Sequence, residues 1–162
     1  MKLAVYKIKQ ETRNAFSIYF KKPKNLNYYP AQFLIVKYKG VEREFTVSSS
    51  PSEKYLVITP KIGISPLKKF LIKLKPGDGV EIDPPMGTYT LDSKSPAVMI
   101  AGGVGITPMR SMIKYALDQK LSIPMTLIYS NSDSDFIFKK ELDLWQKTSA
   151  GPPAGRTGRR TK

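Results

Sequence analysis

Cysteine and histidine are both absent from this chain of 162 residues. Without them the chain has no disulfides, no thiolate ligation of iron–sulfur clusters and no Cys/His zinc site. Ser–His and Cys–His nucleophilic catalysis are excluded as well. Acidic residues are scarce, with 13 Asp plus Glu against 27 Lys plus Arg. No acidic cluster suggests a metal held by carboxylates alone, so no metal is expected. Redox or transfer chemistry would therefore need an organic cofactor. There is no uninterrupted apolar run of membrane length and no charged-then-apolar leader. A soluble, cytoplasmic protein with no membrane partner is the expectation. A hydrophobic content of 41% suffices for a core, and the length suits one ordinary domain or two small ones.

The net charge is +14 at pH 7. A basic surface can bind nucleic acid, steer an acidic protein partner, or simply be solvated. The lysines are scattered and no aromatic-interleaved nucleic-acid motif is present. A solvated lysine-rich surface is therefore expected first, an acidic partner second, and no nucleic acid.

What is present is organised around residues 96–117, PAVMIAGGVGITPMRSMIKYAL. Ala97 to Ala101 is an apolar run of buried-strand length. Gly102, Gly103 and Gly105 follow, then Thr107 and Pro108. Met109, Met112, Ile113, Ala116 and Leu117 then repeat at the spacing of one helix face. Thr107 fits a helix N-cap and Pro108 the first helical position. Glycines let a backbone approach a ligand closely, and free N–H groups at a helix start attract phosphate. A dinucleotide pyrophosphate fits this turn; so does a tight strand-to-helix connection with no ligand.

The first half is rich in short strands, predicted at 3–8, 15–20, 33–38, 42–48, 55–59 and 79–82, with a polar turn at 10–14. Gly, Pro and Asn punctuation suggests an antiparallel sandwich or small barrel. One helix interrupts it, with Leu67, Phe70, Leu71 and Leu74 on one face. Ser65 is placed as its N-cap, Pro66 as its first residue and Pro76–Gly77 as its stop. Gly63–Ile64–Ser65–Pro66 and Gly105–Ile106–Thr107–Pro108 thus share one plan, Gly-x-[Ser/Thr]-Pro at a helix start.

Arg43–Glu44–Phe45–Thr46, followed by Val47–Ser48–Ser49–Ser50–Pro51, resembles the flavin signature of the ferredoxin–NADP reductase family. The order of later segments agrees. Gly63 to Ser65 resembles the turn that binds the flavin pyrophosphate, and Pro76 to Tyr89 the end of the barrel. Ala101 to Pro108 resembles the glycine-rich nicotinamide-nucleotide loop, and Leu127 to Trp145 the next strand and helix. The resemblance covers roughly residues 1–147. It implies a six-stranded antiparallel Greek-key flavin-binding β-barrel (1–94) followed by a partial parallel α/β nucleotide-binding domain (95–148). It also implies a flavin-dependent NAD(P)H oxidoreductase that passes hydride from nicotinamide to flavin and electrons to an acceptor. FAD, with FMN as the alternative, would be held by Arg43, Phe45, Thr46, Gly63 and Ser65, with Thr46 near flavin N5. NAD(P)H would be held by Gly103, Gly105 and Thr107, with Ser130 and Asn131 where a 2′-phosphate is discriminated. The acceptor would be an acidic protein or an iron–sulfur partner subunit. For Met86 and Tyr89, flavin contact and plain packing remain equal alternatives.

Two departures stand out. Phe45 replaces the family's usual tyrosine, which keeps stacking and loses a phenolic hydrogen bond. No Cys-Gly segment follows, and only about fifty patterned residues come after Pro96, so the second domain is expected to be incomplete. That leaves a second possibility, a flavin-binding or electron-transfer subunit completed by a partner. Before residue 149 arginine occurs only at Arg13, Arg43 and Arg110. The segment 149–162, SAGPPAGRTGRRTK, shifts to Arg, Gly and Pro and is expected to be a disordered basic tail.

Overall fold

The computed structural model describes residues 1–148; the tail expected at 149–162 lies outside the described residues. Six strands form one sheet: β1 (Lys2–Thr12), β2 (Ala15–Lys21), β3 (Phe33–Tyr38), β4 (Val41–Thr46), β5 (Tyr55–Ile58) and β6 (Gly79–Ile82). Their order is β4-β3-β6-β1-β2-β5, with every pairing antiparallel. A bridge between Val47 and Ile58 joins the two ends, with Ser48 N donating to Val57 O at 2.8 Å. The sheet thereby closes into the expected Greek-key barrel, a solution that leaves no free edge. Leu3, Val5, Ile18, Phe20, Leu34, Val36, Leu56, Ile58, Val80 and Ile82 fill its interior.

Helix α1 (Pro66–Ile72) plugs the barrel with Leu67 and Leu71, both fully buried. Each such leucine contributes about 1.5–3 kcal/mol by leaving water. Ser65 is its N-cap, as the sequence indicates; its Oγ accepts from Lys68 N at 3.3 Å.

Two strand limits differ from expectation by more than one residue. The polar residues of 10–12 continue β1, because Gln10 and Thr12 pair with Phe16 and Ala15 and the chain turns only at Arg13–Asn14. The expected strand 42–48 stops at Thr46, since Val47 and Ser48 leave β3 to make the closing contacts with β5.

The second lobe is a parallel pair, β7 (Ala97–Gly102) and β8 (Met125–Ser130), in continuous register from Ala97–Met125 to Gly102–Ser130. The crossover helix α2 (Ile106–Asp118) links them, and α3 (Lys139–Thr148) follows β8. Met99 and Ala101 point inward with Ile106, Met109, Met112, Ile137 and Phe138. Ala15 and Ala31 of the barrel belong to the same apolar cluster, so the lobes share a core. The other face of β7 is bare, with Val98 and Ile100 about 70% and 71% exposed. Parallel sheets are usually covered on both faces.

Candidate functional site

Strand alternation puts Arg43 and Phe45 of β4 on one face, opposite Val36 and Leu34 of β3, and Thr46 on the other face, opposite Phe33. Arg43 is exposed, donates only to Glu42 O at 2.7 Å, and has no carboxylate partner among the described residues. Its planar fork is thus available to an anion. Phe45 is half-buried and leans on the barrel core. Thr46 closes the strand half-buried, and its hydroxyl has no hydrogen-bond partner among the described residues.

Beside Thr46, Phe33 exchanges backbone hydrogen bonds with Met86 at 3.0 and 2.8 Å, and Gln32 Nε2 donates to Gly87 O at 3.0 Å. Gly87 has φ +109, and a Cβ there would stand 2.9 Å from the Phe33 ring, so only glycine fits. Met86 therefore reaches the neighbourhood of Thr46, and Tyr89 follows it with its ring largely exposed.

Gly63 and Ser65 precede α1, which is docked beside the β3–β4 ribbon by Phe70 stacking on Tyr38 at 4.0 Å. The Lys68 side chain folds back over Gly63; its Nζ stands 3.3 Å from where a Cβ would be. This cation was not singled out in the sequence, although it lies three residues after the cap, the position that faces it on a helix. No hydrogen bond joins Gly63 or Ser65 to Arg43 or Thr46 among the described residues. None of the five lines the open hollow of about 690 Å³ between the β3–β4 turn, the N-terminus and Phe70.

After β7, Gly103–Gly105 forms a single tight 3₁₀ turn that runs directly into α2. The expected cap at Thr107 is not found. The helix starts at Ile106 with Gly105 in the cap position, which places Thr107 second and Pro108 third. Thr107 is buried, and its hydroxyl donates back to Val104 O at 3.1 Å. The reason is the glycine turn: Gly103 takes φ +50, and by Gly105, at φ −62 and ψ −5, the chain is already helical, so the helix begins two residues early. A Cβ on Gly102 or Gly105 would meet nothing within 4 Å, so the space over the turn is open. Tyr129 of β8 donates to Gly103 O at 3.1 Å and Asn131 Oδ1 lies beside Gly103, so the β8 end lines the turn.

The residue that joins these parts was missed in the sequence. Arg110 of α2 is 7% exposed. One edge of its guanidinium clasps Glu53 at 2.7 and 3.1 Å, and Nε donates to Glu141 of α3 at 2.9 Å. Nη1 also donates to Ser48 O at 2.8 Å, two residues past Thr46. The rings of Phe138 and Trp145 lie 5.2 and 5.4 Å from its central carbon. Burial pulls this guanidinium toward losing its proton, but bonds and charge from Glu53, then Glu141, outweigh it and hold its pKa above the ordinary value. Removing one partner from such a buried pair costs about 3–5 kcal/mol, because it strands the other charge.

Next to it, Ser111 Oγ donates to Ser49 O at 2.6 Å and accepts from Ala31 N at 3.2 Å. Glu53 in turn accepts from Ser50 N at 2.6 Å. At the far end of the seam, Arg13 of the β1–β2 turn donates to Asp133 at 2.6 Å and, through its backbone, to Asp135 at 2.8 Å. The available signal for Arg110 was a lone arginine directly after Met109, on the apolar side of a helix.

Residues 99–155 match the oxidoreductase NAD-binding domain family. Flavohemoprotein A of Dictyostelium discoideum is 30% identical over 165 aligned positions, covering 86% of this chain and 41% of that protein. The gamma subunit of sulfhydrogenase 2 of Pyrococcus furiosus is 32% identical over 124 positions, covering 73% and 42%. The chain thus spans less than half the length of these curated relatives. A ferredoxin NADP+ reductase of Neisseria gonorrhoeae, solved with bound FAD and NADP, superposes with a TM-score of 0.80 at 22% identity, over 99% of this chain and 73% of that one. A closed Greek-key barrel, a glycine turn into α2 and these likenesses coincide in one molecule: the chain has the fold of the ferredoxin–NADP reductases, and its residues 99–155 match an oxidoreductase NAD-binding domain.

Proposed function

We propose that this chain binds FAD on the barrel and NAD(P)H at the glycine turn, and serves as an NAD(P)H-dependent flavin oxidoreductase or the electron-transfer part of one. The observation that carries this reading is the link between the two candidate sites. The helix leaving the glycine turn sends Arg110 and Ser111 into the carbonyls of Ser48 and Ser49, just past the Thr46 hydroxyl, which has no partner among the described residues. Bound flavin would supply the acceptor for a hydride and the capacity to release electrons singly or in pairs. The chain's own residues bind and orient. Arg43 offers a guanidinium fork to phosphate, supported at a distance along the chain by Ser65 and Lys68. Phe45 offers the edge of a ring, and Thr46 a hydroxyl to the flavin's central ring. Gly103 and Gly105 leave room for a nicotinamide-nucleotide pyrophosphate, with Ser130 and Asn131 at its 2′ side. Thr107 contributes by closing the turn onto Val104. No side chain acts as nucleophile. The domain limits 1–94 and 95–148 follow the same reading.

A second reading, that the chain works as a subunit feeding electrons to a partner, is favoured by two observations. One is its net charge of +14 with no cysteine. The other is the presence of reductase subunits among its relatives, such as the glycine betaine monooxygenase reductase subunit of Pseudomonas aeruginosa. The partner would be acidic and would itself carry any iron–sulfur centre.

The test is titration of the purified chain with FAD and with FMN, followed by the visible absorption spectrum, for wild type and Arg43→Ala. Saturable binding that weakens at least about tenfold in the variant, about 1.4 kcal/mol, is expected. Equal affinity in the two proteins would remove the phosphate assignment. Salt-sensitive binding of DNA or RNA with no flavin uptake would replace the whole reading.

A further inference from the structure

We propose that Arg110 is a positioning residue that sets the distance between the nicotinamide-nucleotide turn and the flavin face of the barrel; this rests on the function proposed above. Arg110 lies one helical turn inside α2, which begins directly after the glycine turn. Its guanidinium reaches three separate elements: the Ser48 carbonyl past β4, Glu53 in the following loop, and Glu141 on α3. Three faces of the planar group are thus spoken for, and the rings of Phe138 and Trp145 lie against it.

Among the described residues no other side chain is seen to tie the segment after Thr46 to both helices. Ser111 holds the neighbouring Ser49 carbonyl but reaches only α2's side of the joint. The Ser52–Asp118 contact at 2.5 Å is exposed and sits at the far end of α2, 13 residues from Gly105. A hinge between lobes would open where contacts are few and wet. Here the Arg110 side chain is instead buried and charge-paired, bonded to the carbonyl two residues past Thr46 from a position five residues after Gly105. Transfer between two bound rings depends on an approach of about 3–3.5 Å, and a displacement near 1 Å costs about a hundredfold in rate. Arg110 fixes that approach without touching either ring. An ammonium cannot replace it, since a point charge does not bridge three acceptors in one plane.

The test uses the full chain with Arg110→Gln, Arg110→Lys and Glu53→Gln. Because the chain has no cysteine, Lys75→Cys on the barrel and Gln119→Cys beyond α2, both exposed, accept one spin label each. The interlobe distance distribution is expected to be single and narrow in the parent and broad in Arg110→Gln, with Arg110→Lys between them. This readout needs neither flavin nor nicotinamide. Should Arg110→Gln not fold, Glu53→Gln carries the same comparison, since it keeps the shape of the partner and removes its charge. In FAD-loaded protein mixed anaerobically with NADH, the limiting rate of flavin reduction is expected to fall about a hundredfold in Arg110→Gln. Flavin affinity and the NADH concentration at half-saturation should stay within about threefold, because a positioning residue touches neither ligand. An unchanged distance distribution overturns the proposal. So does a rate that falls only in step with flavin content, which marks Arg110 as a plain stabiliser. A parent that takes up no flavin sinks the functional reading instead, while the distance measurement still decides whether Arg110 holds the lobes.

Discussion

The Tyr28 hydroxyl lies beneath the loop that follows Thr46, 2.9 Å from the Ser50 carbonyl and 3.0 Å from the Ser49 hydroxyl. Burial pushes its pKa well above the ordinary tyrosine value, so it remains a donor at any accessible pH. Tyr28→Phe removes that donor and leaves a buried carbonyl short of a partner, at a cost of about 1–3 kcal/mol. A lowered urea midpoint with an unchanged slope is expected; an unchanged midpoint would mean that water or Ser111 takes over the acceptors. Neither Tyr28 nor Arg110 was legible in the sequence. Their partners lie 21 to 62 residues away along the chain, and local spacing carries no signal across that gap. Arg43 and Thr46 could be singled out as candidates because the residues that mark them are adjacent to them.

At the scale of the element, helix α1 carries two roles at one residue. Ser65 caps the helix, and the first turn holds no acidic side chain. Ser65→Ala is expected to cost about 1 kcal/mol of stability through the lost cap. Ser65→Asp keeps an acceptor for Lys68 N and adds a negative charge at the positive helix end, so it should match or exceed wild type in thermal unfolding. In the proposed site, however, that carboxylate faces the same phosphate as Lys68. A loss of flavin affinity of about tenfold or more with undiminished stability is the expected pair of outcomes. Retained affinity in Ser65→Asp would leave Ser65 as a cap and nothing else. The elements themselves were largely readable, because strand alternation and Ser-Pro or Pro-Gly signals are local. What misled the reading was closure: β4 ends early and Thr107 loses its cap because distant strands and a preformed glycine turn decide those limits.

For the whole molecule, the lobes are joined by the buried Arg110 cluster and by two flanking carboxylate contacts. Asp133 has a lowered pKa through the hydrogen bond from Arg13, then through the Asp135 backbone and nearby Lys61. Asp118 is lowered too: partial burial works against ionisation, and Lys114, Ser52 and the charge of Arg110 outweigh it. Both folded values lie below those of the unfolded chain. Their contribution is therefore fully present above the ordinary aspartate range and is lost as pH falls through the folded values, that is, below about pH 4. Arg110, held above its ordinary pKa, stays charged throughout. The cluster that fills the barrel is apolar, and the buried Glu11 carboxylate of β1 lies outside it, paired with Lys9 at 2.8 Å. Acid should thus part the lobes before it opens the barrel. Trp145, the sole tryptophan, stands beside Arg110 at this joint and reports it. Its emission is expected to shift to the red at a higher pH than the one at which the far-ultraviolet signal of the strands is lost. With Asp133→Asn the early shift should begin from an already loosened seam and show a shallower pH dependence. A single coincident transition, unchanged in the variant, would mean that the shared apolar cluster around Ala15 and Ala31, and not the charged contacts, holds barrel and second lobe together.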